Sequence, residues 1–179
     1  MTAVRLNRTP APDPTTMGLS CPSAPPEIPG AVAFGIIDHA ASPPEVRYLD
    51  EPVPVSDELL ELAAPLEPRE VFRVGAPCQT DRCTHWSGHD CQLVERIVKI
   101  VPAASLVTPP CKLRPTCRWF AQAGRSACVR CMHVVTSDTN PTETMRAAAT
   151  PIGAAPDDPK TKNTNDASDH AAVRADFNI

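Results

Sequence analysis

Seven of the eight cysteines in this 179-residue chain fall between Cys78 and Cys131, in two runs: Cys78, Cys83 and Cys91, then Cys111, Cys117, Cys128 and Cys131. Thiols at this density are oxidised to disulfides, bound to metal or used in redox chemistry, and each option constrains the fold differently. Compartment arbitrates between them. The first 20 residues hold no continuous apolar stretch of secretory-signal length, and no run is long enough to span a bilayer. A cytoplasmic, reducing location without membrane attachment is therefore expected, where clustered thiols bind metal more often than they form structural disulfides.

The remaining composition favours crosslinking by metal. Aromatic residues make up 4% of the chain and 22 residues are proline, so large core-filling side chains are scarce and a small domain would depend on staples. Residues 1–29 hold seven prolines among small polar residues, and residues 138–179 are rich in Asp, Asn, Thr, Ala and Pro without periodicity. Both segments are expected to be disordered tails, the second acidic. Cys21, in the first, is expected to be a free, exposed thiol without a site role. Residues 30–137 remain as a cysteine-rich metal-binding domain.

The expected fold class is α+β: an N-terminal β-hairpin and helix layer supporting a helical cysteine-rich module. Residues 31–37 form an apolar run of strand length and 45–50 alternate polar with apolar, which predicts a hairpin. Ser56 can cap a short helix, with Asp57 and Glu58 in its first turn and Leu59, Leu60, Leu62 and Ala63 on its buried side. Residues 69–75 read as a third strand leading into Cys78. The segment from Cys78 to Cys91 is polar and turn-like, as a ligand-wrapping loop would be. A helix then runs to about Val101, with Leu93, Val94, Ile97, Val98 and Val101 on one face. A short helix is expected over 118–123, stopping at Gly124, and a last one follows Ser126.

Thiolates are soft, charged donors that bind metal by losing their protons and so tie distant segments together. Cys78-x4-Cys83 and Cys128-x2-Cys131 have the gaps that let one turn present two sulfurs to one ion. His85 and His89 lie between Cys83 and Cys91 and are candidate nitrogen ligands. Seven thiols and one histidine would fill two four-coordinate sites. One partition joins Cys78 and Cys83 with Cys128 and Cys131, leaving Cys91, Cys111 and Cys117 with a histidine; other partitions satisfy the spacing equally. The excess of sulfur over nitrogen, with Trp86, Trp119 and Phe120 beside ligand cysteines, favours an iron–sulfur cluster. Zinc is the alternative, since it staples small domains with poor cores.

Charge is uneven. Residues 31–110 carry twelve acidic and six basic side chains, whereas 111–137 carry Lys112, Arg114, Arg118, Arg125 and Arg130 and no acid. These cations either balance an anionic metal–thiolate centre or present a basic face to a protein or nucleic acid. The acidic whole, with a net charge of −4, favours the first use, so a protein partner is expected more than a nucleic acid. Phosphate-cradling glycine loops, nucleophile elbows and zinc-protease motifs are absent from the sequence. The expected function is electron transfer, or assistance to a partner enzyme, by a metal-holding protein that is not itself an enzyme. A zinc binding module and a thiol redox protein are the other two readings.

Overall fold

The computed structural model describes residues 18–138, 140–151 and 153. Its strands are β1 (Ser20–Cys21), β2 (Val32–Asp38), β3 (Glu45–Pro54) and β4 (Phe72–Pro77). Its helices are α1 (Asp57–Glu61), α2 (Pro68–Val71), α3 (Gln92–Ile100), α4 (Arg118–Cys131) and α5 (Glu143–Ala149). The strands form one antiparallel sheet in the order β1-β4-β2-β3, so the chain is α+β as expected. Among the described residues, no helix is long and apolar enough to cross a membrane.

The predicted hairpin is β2 and β3, with a register shift between Ala33 and Gly35. Ser56 caps α1 by accepting from the Leu59 amide at 3.3 Å. Of the four residues expected on its buried side, Ala63 is buried while Leu62 is 75% exposed, because the helix ends at Glu61. The third strand starts later than expected. Pro68 at the helix start and a reciprocal Glu67–Glu70 capping box draw residues 68–71 into α2, and β4 begins only at Phe72.

Alternation along β4 divides the interior in two. Phe72, Val74 and Ala76 face a cluster with Ala24, Ala31, Ala33 and Ala63. Five of those seven residues are alanines, each too small to bury much apolar surface. Arg73 and Gly75 point the other way, toward the cysteine module. A Cβ on Gly75 would sit 2.6 Å from a Leu113 methyl, so glycine here permits close approach of that segment. Beyond lies a second cluster, in which Val94 and Ile97 of α3 and Val101 just after it pack with Trp119, Ala127 and Val134. The face predicted for this helix is the one it buries.

Both expected tails are partly folded. Residues 1–17 and those from 154 onward lie outside the described residues. Ser20 and Cys21, however, pair with β4 as an edge strand, and Pro22 and Ala24 are buried, so ordered structure begins before Gly30. At the other end Thr142 caps α5, and its Ala148 is 1% exposed in the α3–α4 core. Arg96 fixes it there by donating to the Ala148 carbonyl at 2.8 Å.

Candidate metal centre

The thiols line two cavities. The first, of ≈ 240 Å³, is lined by Cys21, Cys78, Cys83 and Cys91 together with His85, Trp86 and Arg118. The second, of ≈ 20 Å³, is lined by Cys111, Cys117, Cys128 and Cys131 with Tyr48, Arg114 and Trp119. This grouping differs from the partition that joined Cys78 and Cys83 with Cys128 and Cys131. Sequence gaps fix which sulfurs share a turn, whereas the sheet and α4 decide which turns meet. Cys21, expected to be free and exposed, is the fourth thiol of the first cavity.

Local structure places each sulfur. β1 carries Cys21 into the first cavity, held by pairing with β4 and by donation from the Cys78 amide to the Leu19 carbonyl at 2.8 Å. A 3-10 turn at Thr80–Arg82 brings Cys83 back toward Cys78. Cys91 and Cys117 occupy equivalent positions, each the residue immediately before a helix, α3 and α4. Neither sulfur reaches capping geometry, but the Leu93 and Val94 amides favour the Cys91 thiolate and the Trp119 and Phe120 amides that of Cys117. A 3-10 turn at Arg114–Thr116 folds Cys111 back on Cys117. The break expected at Gly124 (φ 56°) interrupts α4, and Cys128 and Cys131 lie on its last turn.

Burial opposes ionisation of these thiols. It is the largest influence on Cys21 and Cys117, both pushed up to about 12, and it also raises Cys91, Cys111 and Cys128. Within each group the sulfurs repel one another as thiolates, a further upward influence. Without a metal cation nearby, burial keeps Cys21, Cys91, Cys111, Cys117 and Cys128 as neutral thiols at pH 7. Among the described residues, no three or more Cys, His, Asp or Glu side chains are already arranged to hold a metal ion.

Cationic and hydrogen-donating side chains surround these thiols. Arg73 is fully buried, 4.0 Å from the Cys131 sulfur and 5.7 Å from the centre of the Trp119 ring, and it donates to Thr136 at 2.8 Å. The ion pairs found among the described residues do not include it. Arg114 reaches Cys128 and lowers that thiol's pKa against the larger effect of burial. Arg118 stacks over Trp86 at 4.8 Å in the first cavity.

Seven buried side-chain polar atoms lack a hydrogen-bond partner among the described residues, and every one carries a hydrogen to donate. Tyr48 Oη, Arg114 Nε and Trp119 Nε1 belong to residues lining the second cavity, and Arg73 lies beside it. Trp86 Nε1 and Arg118 Nε belong to residues of the first, and Arg96 adjoins it through His85. Orphaned buried donors are costly, so their concentration around two sets of thiols marks where acceptors belong.

The histidines separate. The His85 ring lines the first cavity, but its Nδ1 accepts from Arg96 at 2.9 Å. A guanidinium can only donate, so Nε2 of the neutral ring carries the proton and serves as a donor. Burial and the Arg96 charge hold His85 neutral, lowering its pKa to about 4. His89 is exposed, 4.0 Å from Asp90, and does not line the cavity. Trp119 is at once core and cavity wall, 1% exposed.

Several cations of the basic run are engaged within the chain. Arg114, Arg125 and Arg130 donate to the carbonyls of Pro109, Leu106 and Val101. Lys112 is exposed. No family model, curated protein or solved structure matches the chain.

Proposed function

We propose that the chain is a metal–thiolate protein holding iron–sulfur chemistry, which transfers electrons or assists a partner enzyme in a reducing cytoplasm. The observation that carries this reading is the ring of buried, unpartnered N–H and O–H donors, with the carboxylate-free Arg73, around the thiols. Four thiolates around a divalent ion or a doubly charged cluster core keep a net charge near −2, which accepts such donors and offsets a buried guanidinium. Neutral thiols accept only weakly and offset no charge. The ≈ 240 Å³ of the first cavity supports a polynuclear cluster over a bare ion, being more than tenfold the space one water-sized sphere takes.

Cys78, Cys83, Cys91, Cys111, Cys117, Cys128 and Cys131 are the proposed ligands, with His85 as a donor to them and His89 outside the set. When bound, a cluster supplies one-electron chemistry; this chain's residues set its charge environment and keep water from it. Structural zinc is the second reading, favoured by the small volume of the second cavity. The engagement of Arg114, Arg125 and Arg130 with backbone carbonyls supports a protein partner over nucleic acid.

Preparation of the full chain without air tests the proposal. The iron–sulfur reading expects a brown protein with iron and acid-labile sulfide, bleached by dithionite. A colourless protein with stoichiometric zinc selects the second reading. Metal-free protein with freely reactive thiols defeats both and selects a thiol redox protein.

A further inference from the structure

We infer that the chain holds two metal centres sharing one wall, the first on Cys21, Cys78, Cys83 and Cys91, the second on Cys111, Cys117, Cys128 and Cys131. The inference rests on the metal–thiolate reading and adds to it the pairing of ligands and a ligand from the proline-rich N-terminal segment.

The wall is made of two short backbone stretches. Ser20 and Cys117 form a parallel bridge, and the Ser20 and Thr116 hydroxyls lie 3.2 Å apart. Bridged backbones run about 4.8 Å apart. From the end of β1 onward the chain alternates across this wall: Cys21 lines the first cavity and Pro22 the second. Cys117 and Arg118 alternate the other way, Cys117 lining the second cavity and Arg118 the first. Each stretch thus gives one sulfur to one cavity and its next residue to the other.

Cys21 belongs to the first set on geometry. Its pairing with Ala76 sets it beside the strand end that leads into Cys78, and it shares the cavity with three thiols and with Trp86 and Arg118, whose donors are unpartnered. With Cys21 counted, each cavity has four sulfurs and neither needs a histidine, which agrees with Arg96 occupying His85 Nδ1. The sulfur-only sets fit both metal readings.

Native mass spectrometry of the anaerobically prepared full chain, with Cys21→Ser and Cys131→Ser variants, counts the centres. Two are expected in the parent chain and one in each variant, the retained centre serving as evidence that the variant folds. Brief alkylation of the native parent chain followed by peptide mapping covers the case in which a variant fails to fold; Cys21 should be as protected as the other seven thiols. A parent chain with one centre, a Cys21→Ser variant that keeps two, or Cys21 alkylated while the others are protected would overturn the inference and leave the metal–thiolate reading standing. A parent chain without metal would remove that reading itself.

Discussion

Removing Arg73 is expected to change stability in opposite directions in the two states of the protein. Beside neutral thiols its guanidinium is a buried charge with no anion, held by Thr136, the Trp119 face and a long contact to the Cys131 sulfur. Beside a metal–thiolate centre it is a charge-assisted donor to sulfur. Arg73→Met should therefore stabilise the metal-free chain by on the order of 1 kcal/mol and weaken the metal-loaded one by about 1.5–3 kcal/mol. Denaturant titrations of both forms check this, and a loss of equal size in both would mean that Arg73 is merely structural. At this scale seven of the eight thiols that line the cavities stood out in the sequence, because cysteines this crowded have few uses. Cys21 was not: its neighbours are prolines and serines, and a two-residue strand has no period to detect. The donors were hidden too, since nothing in a sequence distinguishes a buried arginine from a solvated one.

Elements were legible where one physical signal dominated. The 3.6-residue pattern of α3 identified its buried face, and the strand pattern of 31–37 and 45–50 gave the hairpin. Residues 68–71 carried two signals, a β-like run and a proline-started helix with its capping box, and the local hydrogen bonds prevailed. Helix α5 was missed: residues 138–179 read as a tail without periodicity, and its burial depends on α3 and α4 and not on its own period.

Two predictions belong to the elements. Gly75→Ala would press a Cβ against Leu113, between Cys111 and Cys117, and should cost about 1–3 kcal/mol and hasten metal release. An unchanged release rate in stopped-flow chelation would show that Leu113 moves aside without disturbing the turn. In the hairpin, the Ala40 amide and Arg47 lower the pKa of the partly exposed Asp38 carboxyl from its ordinary value of 3.8. A depressed carboxylate adds stability above that value and loses it as pH falls. Asp38→Asn should therefore weaken the hairpin at pH 7 and make no difference once Asp38 is protonated; denaturant curves at both pH values check this, and an equal penalty at each would contradict it.

The whole molecule joins an alanine-rich sheet layer to a cysteine module through one buried β4 face. With so little apolar volume in the first cluster, a metal held as proposed is expected to contribute much of the stability, as it does in small stapled domains. The class of the fold could be read from the sequence. The meeting of thiols across it could not, because spacing records distance along the chain and the sheet order decides distance through space. Chelation under anaerobic conditions should lower the unfolding midpoint by ten degrees or more, on the order of several kcal/mol of lost binding.

The central claim is that these thiols work as thiolates on metal inside a shell of donors. Metal-edge X-ray absorption on the anaerobically purified full chain tests it most directly. The account predicts a first shell made of sulfur alone at about 2.3 Å, without a nitrogen contribution from His85 or His89. A shell dominated by nitrogen or oxygen, or protein that carries no metal, would contradict it.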